Sequence, residues 1–380
     1  MDNLTHSLVG LAAAKAGLGR QSAYATLVCV AAANLPDADI VALAGGPAFY
    51  LKHHRGITHS VVGTLALAVV FPLLVYAAER VWARWRGREP RARLKGLLVC
   101  SLLLSASHPL LDWTNSYGVR PLLPWDGRWF YGDLLFIVDP WVWLLLGGAC
   151  SLLATARWRV AAWGLLALLI TAALFRVGTR PDLDVPVGAL ALWFAGLAAL
   201  AVLHFKRAGA RLGWRAPAVA LALVVVYCAA LSLMQARARR TAELLAGGLA
   251  SGEGGRALRV EATPVLADPL TWRCLAADDR HTFRFDMKLG TLFVEDLSGV
   301  VVYEKPSGDE AEAVRRASET EAARVLLDFA RFPVARVRPG EAGGRVVQFA
   351  DLRYTEPGSR ARVGGFALDV PVGGAAAPAR

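Results

Sequence analysis

Histidines and aspartates gather near the amino terminus of this chain in pairs whose spacing suits a small cation. His108 and Asp112 stand four apart in an otherwise helical run, so both side chains leave one helix face and can chelate a single ion. In Asn34-Leu35-Pro36-Asp37-Ala38-Asp39 the proline ends the preceding helix, and Asp37 and Asp39, two apart on a turn, can bend toward one centre. The stretch His53-His54-Arg55-Gly56-Ile57-Thr58-His59-Ser60 opens the next apolar run, with Gly56 to bend the chain and Thr58 available as a helix cap. Two or three imidazoles can meet there. Borderline divalent metals accept this mixture, Zn²⁺ first and Mn²⁺ as a further option. Water acidified by such a cation is a nucleophile for an ester or phosphoester, and Arg55 and Arg120 are the candidates to hold an anionic oxygen. The catalytic candidates are Asp39, Asp112 and Arg55, because carboxylates beyond those one ion needs can serve a second metal or act as a general base.

Each piece also has a plainer reading. A single membrane histidine often bonds a neighbouring helix, and Asp37 can simply end one. Asp139, standing before Pro140, reads as an amino-terminal cap. His204 and His281 lie away from the cluster and read as structural. The joint pattern carries more weight, since ionisable groups within or beside membrane spans are costly and usually functional.

The elements that must position these residues are membrane helices. The composition is 55% hydrophobic with positive mean hydropathy, and the apolar residues are blocked into runs at 57–78, 94–111, 160–178, 187–205 and 216–234. Each reaches or approaches the roughly 20 residues a helix needs to cross hydrocarbon. A sixth run, 134–155, is interrupted by Asp139-Pro140. Residues 4–34 read as two short helices forming a hairpin. The chain opens without a basic n-region, so its first helices are expected to remain in place.

The net charge of +11 is not a nucleic-acid signal, because the cations sit in short loops between apolar runs. Arg80 to Lys95 holds seven Lys or Arg residues against Glu79 and Glu89, which places that loop in the cytoplasm. Arg157, Arg159, Lys206, Arg207, Arg211 and Arg215 then fall inside, Asp182 and Asp184 outside, and the histidine cluster near the outer face. Arg237, Arg239 and Arg240 break the rule. The five cysteines form no CxxC pair and read as small buried hydrophobes.

From about residue 239 the chain becomes charged and Gly-rich, then alternates as half-buried strands at His281 to Met287 and Val300 to Glu304. One helix is expected over 308–329. The fold class is therefore a polytopic α-helical membrane domain with a C-terminal soluble α+β domain. Its parts are 1–140 for the metal-site region, 141–238 for additional transmembrane helices, and 239–380 for the soluble domain, expected to be extracytoplasmic. The Gly, Ala and Pro tail after Val370 is expected to fray.

Four motifs in order resemble the YdjM-like inner-membrane proteins, described as membrane-bound, metal-dependent hydrolases. They are Met1-Asp2-Asn3-Leu4-Thr5-His6-Ser7, Asn34 to Asp39, His53 to Ser60, and His108-Pro109-Leu110-Leu111-Asp112-Trp113-Thr114-Asn115. The resemblance covers about residues 1–140 and continues through Tyr117-Gly118, Pro124-Trp125 and Asp139-Pro140. It implies metal ligands at His6, Asp37, Asp39, His54, His59, His108 and Asp112, in a multi-pass protein of the bacterial inner membrane. A fainter similarity to zinc-dependent phospholipase C, through histidine and aspartate content, points to a lipid phosphoester substrate. The expected partners are the lipid bilayer and such a substrate, with no nucleic acid. The rivals are a transporter that hands an ion or small molecule through the same His/Asp cluster, and a non-catalytic membrane protein with a structural metal. The runs 160–178, 187–205 and 216–234 contain no Asp, Glu or His before His204, which leaves a carboxylate-lined path poorly supported.

Overall fold

A computed structural model describes residues 1–178, 185–251, 259–290, 294–340, 344–358 and 366–373. Asp182, Asp184 and the tail beyond residue 373 lie outside the described residues. Contacts group the chain into two units, one of residues 1–39, 55–233 and 264–269, the other of 40–54, 234–263 and 270–380.

The first unit is helical. Helix α1 (Asn3–Ala16) starts where the Asp2 carboxylate accepts the Thr5 amide N–H, and α2 (Ala25–Ala32) packs back against it. A 3₁₀ stretch follows at Leu35–Gly45, bent by 44° from α2, as Pro36 requires by removing a donor from the helical ladder. A short helix, α3 (Pro47–His53), which groups with the second unit, precedes a 3₁₀ turn at Ile57–His59 that leads into α4 (Val61–Trp85). Ser60, not the expected Thr58, caps α4, its Oγ accepting the Gly63 N–H at 3.1 Å. Thr58 is drawn off because its hydroxyl bonds Asp39 instead. Helix α5 (Leu94–Trp113) packs along α4, followed by α6 (Pro140–Leu152), α7 (Arg157–Gly178), α8 (Val187–Phe205), α9 (Ala208–Leu212) and α10 (Arg215–Ser251).

Five of these helices, α4, α5, α7, α8 and α10, are long and apolar enough to cross a membrane, and the bent pair α2 with Leu35–Gly45 is a sixth candidate. Their apolar side chains are mostly exposed, as lipid-facing surfaces require. On α4 only Thr64, Ala68, Pro72, Glu79 and Ala83 are buried, a single stripe at helical spacing. The sixth apolar run is interrupted where the sequence places the break: Asp139 caps a helix of only 13 residues, about 20 Å long, because Pro140 has to stand at its first turn. Its carboxylate accepts the Trp141 and Val142 amides at 2.9 and 3.0 Å, which bears out the cap reading.

Glycine decides one close approach near the histidine turn. A Cβ on Gly63 would lie 1.8 Å from the Ile57 carbonyl oxygen. Gly63→Ala is therefore expected to cost about 1–3 kcal/mol by overpacking and to push the Ile57–His59 turn outward. A lower denaturation midpoint in detergent together with weakened metal binding would show this, and an unchanged protein would refute it.

The second unit holds a four-stranded sheet, ordered β1 (Arg259–Val265), β2 (Asp268–Ala277), β3 (His281–Leu289) and β4 (Val294–Glu304), and a three-stranded sheet of β5 (Pro333–Pro339), β6 (Arg345–Asp351) and β7 (Ala367–Val372). The pairs β2–β3, β3–β4, β5–β6 and β6–β7 are antiparallel. Phe283, Phe285, Met287 and Leu289 alternate inward on β3, as the sequence pattern requires. Leu275, Phe332, Val334, Ala350 and Leu352 form a core shared by the two sheets. The single helix expected over 308–329 is two, α11 (Gly308–Ser318) and α12 (Glu321–Phe329). Ser318 and Thr320 donate their hydroxyls back to the Arg315 and Ala317 carbonyls, which competes with the helical ladder at the break. Helix α3 packs on α12 in this unit.

Candidate metal centre

Four donors converge in the first unit. One ligand atom each from Asp37, His59, His108 and Asp112 lies within 4.8 Å of the other three. They come from three elements: the bent stretch after α2, the turn before α4, and α5. His108 and Asp112 share the α5 face that the four-residue spacing anticipates, with Nε2 and Oδ2 3.4 Å apart. His59 Nε2 stands 3.1 Å from His108 Nε2, 3.2 Å from Asp112 Oδ2 and 3.3 Å from Asp37 Oδ1. Asp37 Oδ1 closes the group at 3.4 Å from His108 Nε2. His59, His108 and Asp112 have no exposed side-chain surface.

The surroundings fix which nitrogen of each ring faces the centre. His108 Nδ1 donates to the Ala33 carbonyl at 2.6 Å, which leaves Nε2 as the lone-pair nitrogen of the neutral ring. His59 Nδ1 meets Thr58 Oγ1 at 3.1 Å and Asp39 Oδ2 at 3.3 Å. Two imidazole nitrogens and two carboxylate oxygens thus point at one small volume, and among the described residues the buried Asp112 Oδ2 faces only the two imidazole Nε2 atoms and makes no well-aligned hydrogen bond. Lone pairs crowded this closely repel unless a cation stands among them. The donor set therefore fits a borderline divalent metal.

Asp112 is the hub. Its Oδ2 faces the four-donor group, while Oδ1 takes Arg55 Nη2 at 3.0 Å, the Met1 amino group, and His6 Nε2 at 3.3 Å. His6 stands behind Asp112 rather than among the four donors, its ring stacked on His108 at 3.8 Å between centroids. Asp39 also stands outside the four, its Oδ2 receiving the Arg55 backbone N–H at 2.8 Å and the Thr58 hydroxyl at 3.2 Å. Arg55 is 2% exposed, and its Nη1 reaches Asn115 Oδ1 at 2.9 Å and the Asp112 and Gly118 carbonyls at 3.3 and 3.2 Å. The Tyr117 ring lies under the guanidinium at 4.7 Å. Arg120 is buried over the Trp129 ring at 4.4 Å. His54 follows α3 in the second unit, where its ring stacks on Tyr50 at 4.6 Å.

Two contributors escaped the sequence reading. Thr58 bonds both Asp39 and His59, although its place beside His59 was visible. Asn115, three residues after Asp112 and so on the same side of the chain, anchors Arg55 and accepts the Tyr117 N–H at 2.8 Å. The Ser7 and Asn34 side chains bond each other, with Asn34 also held by the Val30 carbonyl, and so tie α1 to the end of α2.

Residues 1–181 match the family described as YdjM inner membrane protein. The chain is also 27% identical over 152 residues to the uncharacterized protein YfhP of Bacillus subtilis, an alignment covering 38% of this chain and 43% of that protein. The chain thus spans less than half the length of the curated relative it matches. No solved structure matches it.

Proposed function

With residues 1–181 marking the chain as a YdjM-like, multi-pass inner-membrane protein, we propose that it is a metal-dependent hydrolase acting on an ester or phosphoester at the membrane surface. One observation carries the reading: two imidazole Nε2 atoms and two carboxylate oxygens converge in a buried site where the other nitrogen of each imidazole is already engaged. Asp37, His59, His108 and Asp112 would hold the cation, Zn²⁺ before Mn²⁺ on donor chemistry. A cation there supplies Lewis acidity and brings the pKa of water toward neutrality.

The chain's own residues do the positioning. Asp39 and Thr58 take the Nδ1 side of His59 and keep its Nε2 for the centre, as Ala33 does for His108. Arg55 balances the charge of Asp112 and, through its backbone N–H, sets Asp39. Asp37, with 13% of its side chain exposed, is the most accessible of the four donors and would mark the side open to a substrate. The site lies at the start of α4 and the end of α5, opposite the basic loop that joins them, so positive-inside sorting puts it at the outer face. A lipid is the favoured substrate, because an ester in the headgroup region lies at that depth.

The test is the metal content of the detergent-purified full chain, followed by hydrolysis of phosphoester and carboxylester lipids before and after chelation. Near-stoichiometric zinc, with product release lost on chelation and restored by zinc, is expected. Protein that stays metal-free after zinc or manganese is supplied would overturn the proposal.

A further inference from the structure

The first unit contains a second feature that the hydrolase reading does not use, a cavity of about 280 Å³ among α6, α7 and α8. Its wall is apolar, with Trp143, Trp163 and Trp193 among the lining residues and His204 one of its few polar groups. Along α6 it runs from Trp143 to Ser151, about 12 Å at 1.5 Å per residue. Ile170, Leu174 and Trp193 pack together at the end nearer Trp143. At the other end the last turn of α6, the first turn of α7 and the last turn of α8 come together, and α9 sits against α6 and α8. There Gly209 approaches so closely that a Cβ would lie 1.8 Å from the Leu152 carbonyl.

That end is strongly charged. Residues 153–159 and 206–215 carry Arg157, Arg159, Lys206, Arg207, Arg211 and Arg215 and no Asp or Glu. All six cations are exposed, and among the described residues none forms an ion pair. Val160 and Phe205, which line the cavity, are chain neighbours of Arg159 and Lys206. Trp158 and Trp214 are 68% and 48% exposed at the same level, the amphipathic anchors expected at a headgroup boundary.

An apolar slot inside the hydrocarbon layer, ending beneath a cluster of uncompensated cations, matches one chemistry at both ends. We infer that the α6–α7–α8 cavity binds an anionic phospholipid, an acyl chain lying along α6 and the phosphate held by the cations of 157–159 and 206–215. Basic pockets between membrane helices recognise anionic headgroups because each cation near the surface adds attraction that a zwitterionic headgroup cannot return. This binding site is separate from the metal centre and does not depend on hydrolysis.

Native mass spectrometry of the full chain, titrated with dioleoylphosphatidylglycerol or dioleoylphosphatidylcholine, tests it. The natural chain is expected to favour the anionic lipid by about tenfold or more. The combined Lys206→Gln, Arg207→Gln and Arg211→Gln variant should remove most of that preference. Gly164→Phe fills the cavity from a position where an added Cβ meets nothing within 4 Å. It should lose bound lipid of both kinds while keeping the basic surface, and Ala201→Phe, on the facing helix, repeats the test. Equal binding of the two lipids, or undiminished phosphatidylglycerol on both filled variants, would overturn the inference, the latter by showing that the basic surface suffices. Displacement of the lipid by glycerol phosphate at matched concentration would overturn it too, by assigning the cations to a free anion.

Discussion

Asp112→Asn is expected to empty the metal centre and to lower hydrolysis by about a hundredfold or more, the upper end of what even outer partners of metal ligands cost. Asp112 faces the donor group with one oxygen and Arg55, His6 and Met1 with the other. The amide keeps the shape but loses the charge that both sides use. Elemental mass spectrometry reads the metal and lipid hydrolysis reads the consequence. Removing this carboxylate also strands the Arg55 guanidinium in a buried site, a loss that breaks pairs worth about 3–5 kcal/mol, so folding has to be separated from chemistry. Asp37→Asn does that, since Asp37 donates to the centre without touching Arg55. Metal and turnover should fall in a protein that still elutes as a folded species. His6→Ala, behind Asp112, should be milder than either. A His6 variant as severe as Asp112→Asn, or an Asp37 variant with full metal content, would sink the four-donor assignment.

The second large effect concerns Arg55. Its backbone has φ 52°, in the left-handed region that costs a side-chain-bearing residue about 1–2 kcal/mol. The site holds it there because the N–H then reaches Asp39 while the side chain turns back to Asp112 and Asn115. Arg55→Lys keeps a charge but not the planar fork, and is expected to lower both metal affinity and turnover about 10- to 100-fold. Arg55→Gly and Arg55→Ala both remove the guanidinium, yet only glycine accepts the backbone without strain. The glycine variant should unfold at a higher denaturant concentration than the alanine variant while being as poor an enzyme. Weaker substrate binding with metal affinity intact would instead make Arg55 the anion holder that its position in the sequence first suggested.

Much of the centre was legible because its pairs are local. Four-residue spacing forces His108 and Asp112 onto one helix face, and Pro36 forces a bend beneath Asp37. Local spacing carries no information about which oxygen or nitrogen each group turns inward. Asp39 and His6 therefore read as ligands like the rest, and only the fold shows that Asp39 Oδ2 stands against His59 Nδ1 and His6 Nε2 against Asp112 Oδ1. Thr58 looked like a helix cap, because a threonine ahead of an apolar run is one by default. The competing bond to Asp39 is long-range and leaves no trace in the pattern. The interruption of the run at 134–155 was legible for the opposite reason: Asp139 and Pro140 are adjacent, and that pair alone decides where a helix can begin.

By itself the sequence determined that this chain lives in a bilayer, because blocks of about 20 apolar residues have no other solvent. It also singled out the histidines and aspartates of the candidate cluster and the β alternation of the carboxy-terminal region, since both rest on periodicities of two to four residues. The tertiary structure decided which donors meet. That choice depends on carbonyls and side chains brought together from α2, α5 and the turn before α4, whose separations along the chain exceed the reach of any local pattern. It likewise decided that α6 is short and that a cavity runs beside it, because free space is a property of packing between helices and not of any one of them.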